Sequence, residues 1–266
     1  MRTRGLMLSL VVILLSALWT AAPVAAAAAE PFPWPPTPWA DGTPEAERER
    51  PPAAPIVRRG RAATGAVALT FDDGFNRRGC SLIADKLRQH GAVGTFFING
   101  QWLKRSPATW RRILAGMEVG NHTRSHPDLT REPHPVVINQ IRSNEDIHER
   151  VLGRPILKVF RPPYGAHSER IGRIAGQLGY ERVVFWNVDT EDWKPKARVK
   201  RIVRRATGAP PGSVILMHCG PGATVKAVPE IIRHYKRRGI ELAGLSVVLE
   251  GARSAGQSGI PSRYVD

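Results

Sequence analysis

The sequence predicts an α/β protein, an irregular (β/α) barrel of about seven parallel strands. Three observations carry this expectation. From residue 66 onward, short apolar runs alternate with helix-length segments about seven times, the pattern of parallel strands joined by helical crossovers. The repeating region spans about 185 residues, which suits one small or irregular barrel. Polar residues able to do chemistry fall just after the apolar runs, where α/β folds place their sites. A doubly wound sheet satisfies the same observations. No internal sequence repeat is visible.

The elements follow in order. Residues 66–71 form an apolar run, a buried strand. Residues 80–90 are helical and end at Gly91, and 94–98 are the second strand. A helix over 107–115 opens on Pro107 in its first turn. Residues 118–121 are a weak strand, and 135–152 a longer helix stopped by Gly153. A strand at 158–161 precedes a helix at 168–178 capped by Ser168. Residues 182–188, rich in β-branched and aromatic residues, read as a strand. A basic helix at 197–206, a strand at 213–217 and a helix at 228–238 ended by Gly239 follow. Segments 241–243 and 245–249 complete the domain.

The N-terminus sets the expected compartment. Arg2 and Arg4 precede an apolar run from Leu6 to Trp19, then an alanine-rich stretch ending at Ala29. Residues 1–29 therefore read as a secretory signal peptide, or as a membrane anchor if uncleaved. Residues 30–60 hold nine prolines, including Pro31, Pro33, Pro35, Pro36 and Pro38, and read as a Pro-rich linker. The domain is expected over 61–250, with a flexible tail at 251–266. The chain is thus expected to be exported, secreted or wall-associated. Its net charge of +16 favours an acidic partner: nucleic acid, an anionic membrane face or an anionic wall polymer. The only two cysteines, Cys80 and Cys219, are either a disulfide or two separate buried thiols.

Five strand ends carry candidate chemistry. The first, Thr70-Phe71-Asp72-Asp73-Gly74, sets two carboxylates side by side, a costly arrangement without a cation or proton; by itself it could be an Asp-Gly turn. The third presents His122 and His126, four apart and able to share one metal. Thr123 stands where a zinc peptidase would carry glutamate after the first histidine. The fourth, Arg161-Pro162-Pro163-Tyr164-Gly165, is a stiff turn bearing an arginine. The fifth loop packs Asp189, Glu191 and Asp192 between Trp186 and Trp193. The sixth strand ends at His218, a core histidine or a proton donor. Together, Asp73, His122 and His126 make an Asp-His-His set that suits Zn²⁺ with an open position, with Asp72 beside it as a spare carboxylate.

These motifs, TFDDG at 70–74, HTRSH at 122–126, RPPYG at 161–165, DTEDW at 189–193 and LMH at 216–218, occur in the order found in the NodB-type polysaccharide deacetylases, carbohydrate esterase family 4. The chain resembles that family over roughly residues 66–250. The resemblance implies that Asp73, His122 and His126 hold one divalent metal ion, Zn²⁺, and that Asp72 is the general base, tuned by Arg161. It further implies a backbone N–H of Tyr164 for the oxyanion, His218 as general acid oriented by Asp189, and an acetyl pocket walled by Trp193 and Leu216.

The expected activity is metal-dependent removal of acetyl groups from a cell-surface polysaccharide, peptidoglycan first, with chitin oligosaccharides or acetylated xylan as alternatives. A non-catalytic polysaccharide-binding module is the other class, and it would have no need of Asp72 and His218. No nucleic-acid recognition motif is present, so no specific nucleic-acid partner is expected. Membrane contact is expected only if the N-terminal segment stays uncleaved.

Overall fold

The computed structural model describes residues 52–250. The signal segment, the linker up to residue 51 and the tail lie outside the described residues. Among those described, no helix is long and apolar enough to cross a membrane.

The predicted barrel is present as a curled, open parallel sheet. Its nine strands among the described residues are β1 (Ile56–Val57), β2 (Ala66–Asp73), β3 (Thr95–Ile98), β4 (Glu118–Asn121), β5 (Val159–Phe160), β6 (Arg182–Val184), β7 (Val188–Asp189), β8 (Val214–His218) and β9 (Glu241–Leu242). The order is β1-β6-β5-β4-β3-β2-β8-β7, with β9 also on β2, and every ladder is parallel. The helices are α1 (Arg77–Gln89), α2 (Gly100–Arg105), α3 (Pro107–Ile113), α4 (His134–Leu152), α5 (Glu169–Gln177), α6 (Val199–Thr207), α7 (Gly222–Arg237) and α8 (Leu245–Glu250).

Side-chain alternation along β2 explains why the whole strand is apolar. Val67, Leu69 and Phe71 enter one core shared with Ile83 and Leu87 of α1 and Val228 and Ile231 of α7. Ala66 and Ala68 enter a second core with Phe97, Val184 and Val214, the inside of the barrel. Both faces are therefore dry, as parallel sheets require. Each large side chain buried this way contributes roughly 1.5–3 kcal/mol.

Leu245, Val248 and Leu249 of α8 join the inner core, and Glu118 accepts hydrogen bonds from the Thr95 hydroxyl at 2.9 Å and the Ser246 N–H at 3.2 Å. These contacts involve the first residues of β3 and β4, so α8 plugs the N-terminal mouth of the barrel. The opposite mouth is left for the polar strand ends.

Three segments depart from expectation. Residues 54–59, expected in the linker, belong to the sheet. Ala54 is buried, β1 pairs with β6, and Arg59 bridges Ser213. Without them β6 would present an open ladder edge, and this strand covers it. Residues 182–188 are two strands, not one. The chain leaves β6 at Val184, and Val188 pairs with Ile215 of β8 at the far edge of the sheet. Helix α7 starts at Gly222, six residues before the expected Val228, because Pro229 is accommodated inside the helix rather than opening it. Helix α2 was not anticipated; it follows β3 within two residues and is too short to show a period.

Cys80 of α1 and Cys219, just past β8, form a disulfide joining residues 139 apart in sequence. It ties the loop behind His218 to the first helix. Replacing both cysteines with serine should lower the midpoint of thermal unfolding by roughly 5–15 °C, from a loss of about 2–4 kcal/mol. Calorimetry of the full chain with and without reductant checks this; equal midpoints for both forms would contradict it.

Candidate metal centre and active site

The polar residues at the C-terminal mouth converge as the sequence predicts, with one exception. Asp73 ends β2, and His122 follows β4 directly. Asp73 Oδ1 lies 3.5 Å from His122 Nε2 and 3.2 Å from His126 Nε2. One ligand atom from each of the three residues can be chosen so that all lie within 4.8 Å of one another.

This set fits a metal ion. Asp73 Oδ1 is buried and accepts no hydrogen bond. A lone buried carboxylate oxygen is expensive unless a proton or cation meets it. His122 Nδ1 lies 2.7 Å from the carbonyl oxygen of Arg161 and donates its proton there, which turns the other ring nitrogen, Nε2, toward Asp73 as the one free to ligate a cation. Four ligands about 2.0–2.1 Å from a tetrahedral zinc stand about 3.3–3.4 Å apart, close to the separations found here. Treated as charged partners, the two imidazoles would hold the Asp73 carboxyl below the usual range, against the burial that pushes it up. The orientation of the His122 ring suits a ligand set.

Local backbone geometry builds this set at a cost. Asp73, Thr123, His126, Tyr164 and Glu191, all in loops at this mouth, have positive φ without being glycine. Each such residue costs about 1–3 kcal/mol, repaid by surrounding contacts. Buried Asn99 supplies some of them: its backbone N–H donates to the Asp73 carbonyl at 3.0 Å, and its side-chain amide donates to the His122 carbonyl at 2.7 Å. The Asn121 side chain receives the Thr123 N–H at 2.9 Å. Neither asparagine was singled out from sequence; Asn121 ends β4 just before His122 and Asn99 lies between β3 and α2, and their place at strand ends was the available signal.

Asp72 stands beside the set. It is 3 % exposed, and its Oδ1 accepts a 2.7 Å hydrogen bond from Arg161 Nη1. Arg161 is wholly buried and also donates to the Thr70 hydroxyl and to the carbonyls of Val184 and Phe185, with Phe97 stacked 4.1 Å beneath it. Burial pulls the guanidinium pKa down, and Asp72 opposes that shift. The other Asp72 oxygen faces His122 Nε2 at 3.8 Å.

His218 is the register partner of Asp72 across the β2–β8 ladder. Its carboxylate partner is Asp192, not the expected Asp189. Asp192 is 2 % exposed; its Oδ1 lies 2.8 Å from His218 Nδ1, and its Oδ2 accepts from the His218 N–H at 2.7 Å and from the Thr224 hydroxyl at 2.5 Å. Asp189 pairs in register with Leu216, and its carboxylate caps its own loop, accepting the Glu191 N–H at 2.7 Å and Trp193 Nε1 at 3.4 Å. The loop doubles back, so its fourth residue rather than its first reaches the end of β8. Burial opposes a proton on His218, but the hydrogen bond and charge of Asp192, with Asp72 and Asp73 adding, raise its pKa from 6.5 to about 9.

The remaining expected residues border the same mouth. Tyr164 sits in a one-turn 3₁₀ segment, and its ring meets His126 edge-on at 4.5 Å. Leu216 is buried in β8 between Thr70 and Asp189, and Trp193 is 54 % exposed on the adjoining loop.

Known proteins resemble this chain in sequence and fold. Residues 59–183 match the family model described as polysaccharide deacetylase. A peptidoglycan-N-acetylglucosamine deacetylase of Bacillus cereus is 37% identical over 193 residues, covering 70% of this chain and 69% of that protein. A chitooligosaccharide deacetylase of Azorhizobium caulinodans is 36% identical over 156 residues, 58% of this chain and 73% of that one. The crystal structure of the Bc1960 peptidoglycan N-acetylglucosamine deacetylase, bound to a hydroxamate-type N-oxidanyl-benzamide, superposes with a TM-score of 0.69 at 36% identity, covering 74% of this chain and 93% of that one. With that likeness and a site assembled from the same five strand ends, the chain belongs to the NodB-type polysaccharide deacetylases of carbohydrate esterase family 4, hydrolases of N-acetyl amides.

Proposed function

We propose that this protein is an exported deacetylase that uses one divalent cation, Zn²⁺, to remove acetyl groups from N-acetylated sugars of peptidoglycan. The observation that carries the proposal is the flanking of the Asp-His-His set by a spare buried carboxylate, Asp72, and an imidazole, His218, hydrogen-bonded to the buried Asp192. Names borne by the relatives and the net charge of +16, suited to an anionic wall, support peptidoglycan. The similarity to the Azorhizobium enzyme favours chitin-like oligosaccharides as the second reading.

A cation held by Asp73, His122 and His126 supplies a Lewis acid that polarises the acetyl carbonyl and acidifies water. Asp72 accepts a proton from the attacking water through the oxygen that Arg161 does not engage. Arg161 fixes the Asp72 rotamer. The Tyr164 backbone N–H donates to the developing oxyanion. His218 delivers a proton to the leaving amine, and Asp192 holds its ring and favours its charged state. Leu216 and Trp193 wall the acetyl methyl.

His218→Ala and Asp72→Asn should each lower kcat by about a hundredfold to ten-thousandfold in an acetate-release assay. Full turnover by either variant would defeat its assignment. Chelation should abolish acetate release and added Zn²⁺ restore it; release that persists at full rate in chelator would overturn the metal requirement. The acid must carry its proton, so a pKa raised to about 9 keeps activity through neutral pH and loses it as pH rises through that value. Asp192→Asn should move this alkaline limb to lower pH while Asp189→Asn leaves it in place; the reverse pattern would restore Asp189 as the partner.

A further inference from the structure

Beside the metal centre lies an open cleft of about 760 Å³ between the start of α1, α2 and α3. It begins at Gly74, next to Asp73. Phe75 is 52 % exposed and packs against Gly220, two residues past His218, so closely that a Cβ there would fall 1.9 Å from its ring. Half-buried Trp102 lies farther along, and the Arg105 guanidinium stacks over its ring at 4.5 Å. Arg77, Arg78 and Arg112 complete the rim, and no acidic side chain lines the cleft. Among the described residues none of these four arginines makes an ion pair, and Arg77 bonds only the neutral Ser106 hydroxyl.

Four neighbouring guanidiniums without a carboxylate repel one another, and exposed aromatic rings forfeit their burial. The second basic cleft, of about 630 Å³ beside α6, is different: Glu191 there pairs with Lys194, Arg201 and Arg205. That carboxylate pairs two of the cations lining the second cleft; none of the four in the first cleft has such a partner among the described residues. Aromatic faces offer a platform for sugar rings, and planar guanidiniums match carboxylates fork to fork.

We propose that this cleft is a subsite for a carboxylate-bearing stretch of the glycan, with Phe75 and Trp102 under the sugar rings and Arg77, Arg78, Arg105 and Arg112 on the carboxylates. The proposal rests on the deacetylase reading and narrows its substrate to an acidic strand. Two sources offer the carboxylate: the peptide stem of peptidoglycan, or the lactyl group of muramic acid in a strand stripped of peptide.

The test measures binding of three probes to the full chain by titration calorimetry, and acetate release from each. The probes are disaccharide-peptide fragments with free stem carboxylates, peptide-free muramic-acid-containing glycan, and neutral chitohexaose. At least one acidic probe should bind about tenfold more tightly than chitohexaose, with a lower KM, and the responding probe identifies the source. R78Q/R112Q should erase that preference, whereas the charge-keeping R78K/R112K retains it. Equal binding of all three probes, or a preference that survives R78Q/R112Q, overturns the subsite. Acetate release from chitohexaose with no charge preference overturns the subsite alone; charge-selective binding without acetate release overturns the deacetylase reading alone.

Discussion

The site depends on one unsatisfied atom. Asp73 Oδ1 is buried, receives no hydrogen bond and faces two imidazole nitrogens, one of them on a ring oriented by the Arg161 carbonyl. Such an oxygen is tolerated where a cation completes it. The backbone is shaped around this requirement. Asp73 and His126 both take a left-handed conformation that their side chains disfavour, and Asn99 clamps the two loops together through the Asp73 and His122 backbones. The strain is local, and the dry double core on either side of β2 holds it in place.

A second buried charge pair organises what surrounds that atom. Arg161 spans the inside of the barrel from β5 to β2, and its partners come from two separate segments, Thr70 and Asp72 from β2 and Val184 and Phe185 from the end of β6. Removing either member would strand the other charge in the core, at about 3–5 kcal/mol. The same side chain that shapes Asp72 also offers its backbone carbonyl to His122. The proposed base and one proposed metal ligand are thus positioned by one residue, which couples their geometry.

Much of this was legible in the sequence because strand ends in a parallel barrel are a small set of places. The apolar runs located β2, β3, β4, β5 and β8, and the residues just past them proved to be neighbours. Asp72, Asp73, His122, His126, Arg161 and His218 all meet at one mouth. Reading failed where the chain turns rather than repeats. Asp189 and Asp192 are equivalent in composition and motif, and only the doubled-back loop decides which reaches His218. The proline count made 54–59 look like linker, yet an edge strand tolerates proline, and the unpaired edge of β6 recruited it. Residues 182–188 carry strand propensity throughout, and nothing local announces that the chain must change sheet edges at 185–187.

The account stands on a cation at Asp73, His122 and His126. Calorimetric titration of Zn²⁺ into the chelator-treated full chain tests it most directly. One site per chain is predicted, with His122→Ala or Asp73→Ala weakening it by at least a hundredfold while the fold, read by circular dichroism, is kept. Absence of a stoichiometric site, or one indifferent to both substitutions, would contradict it.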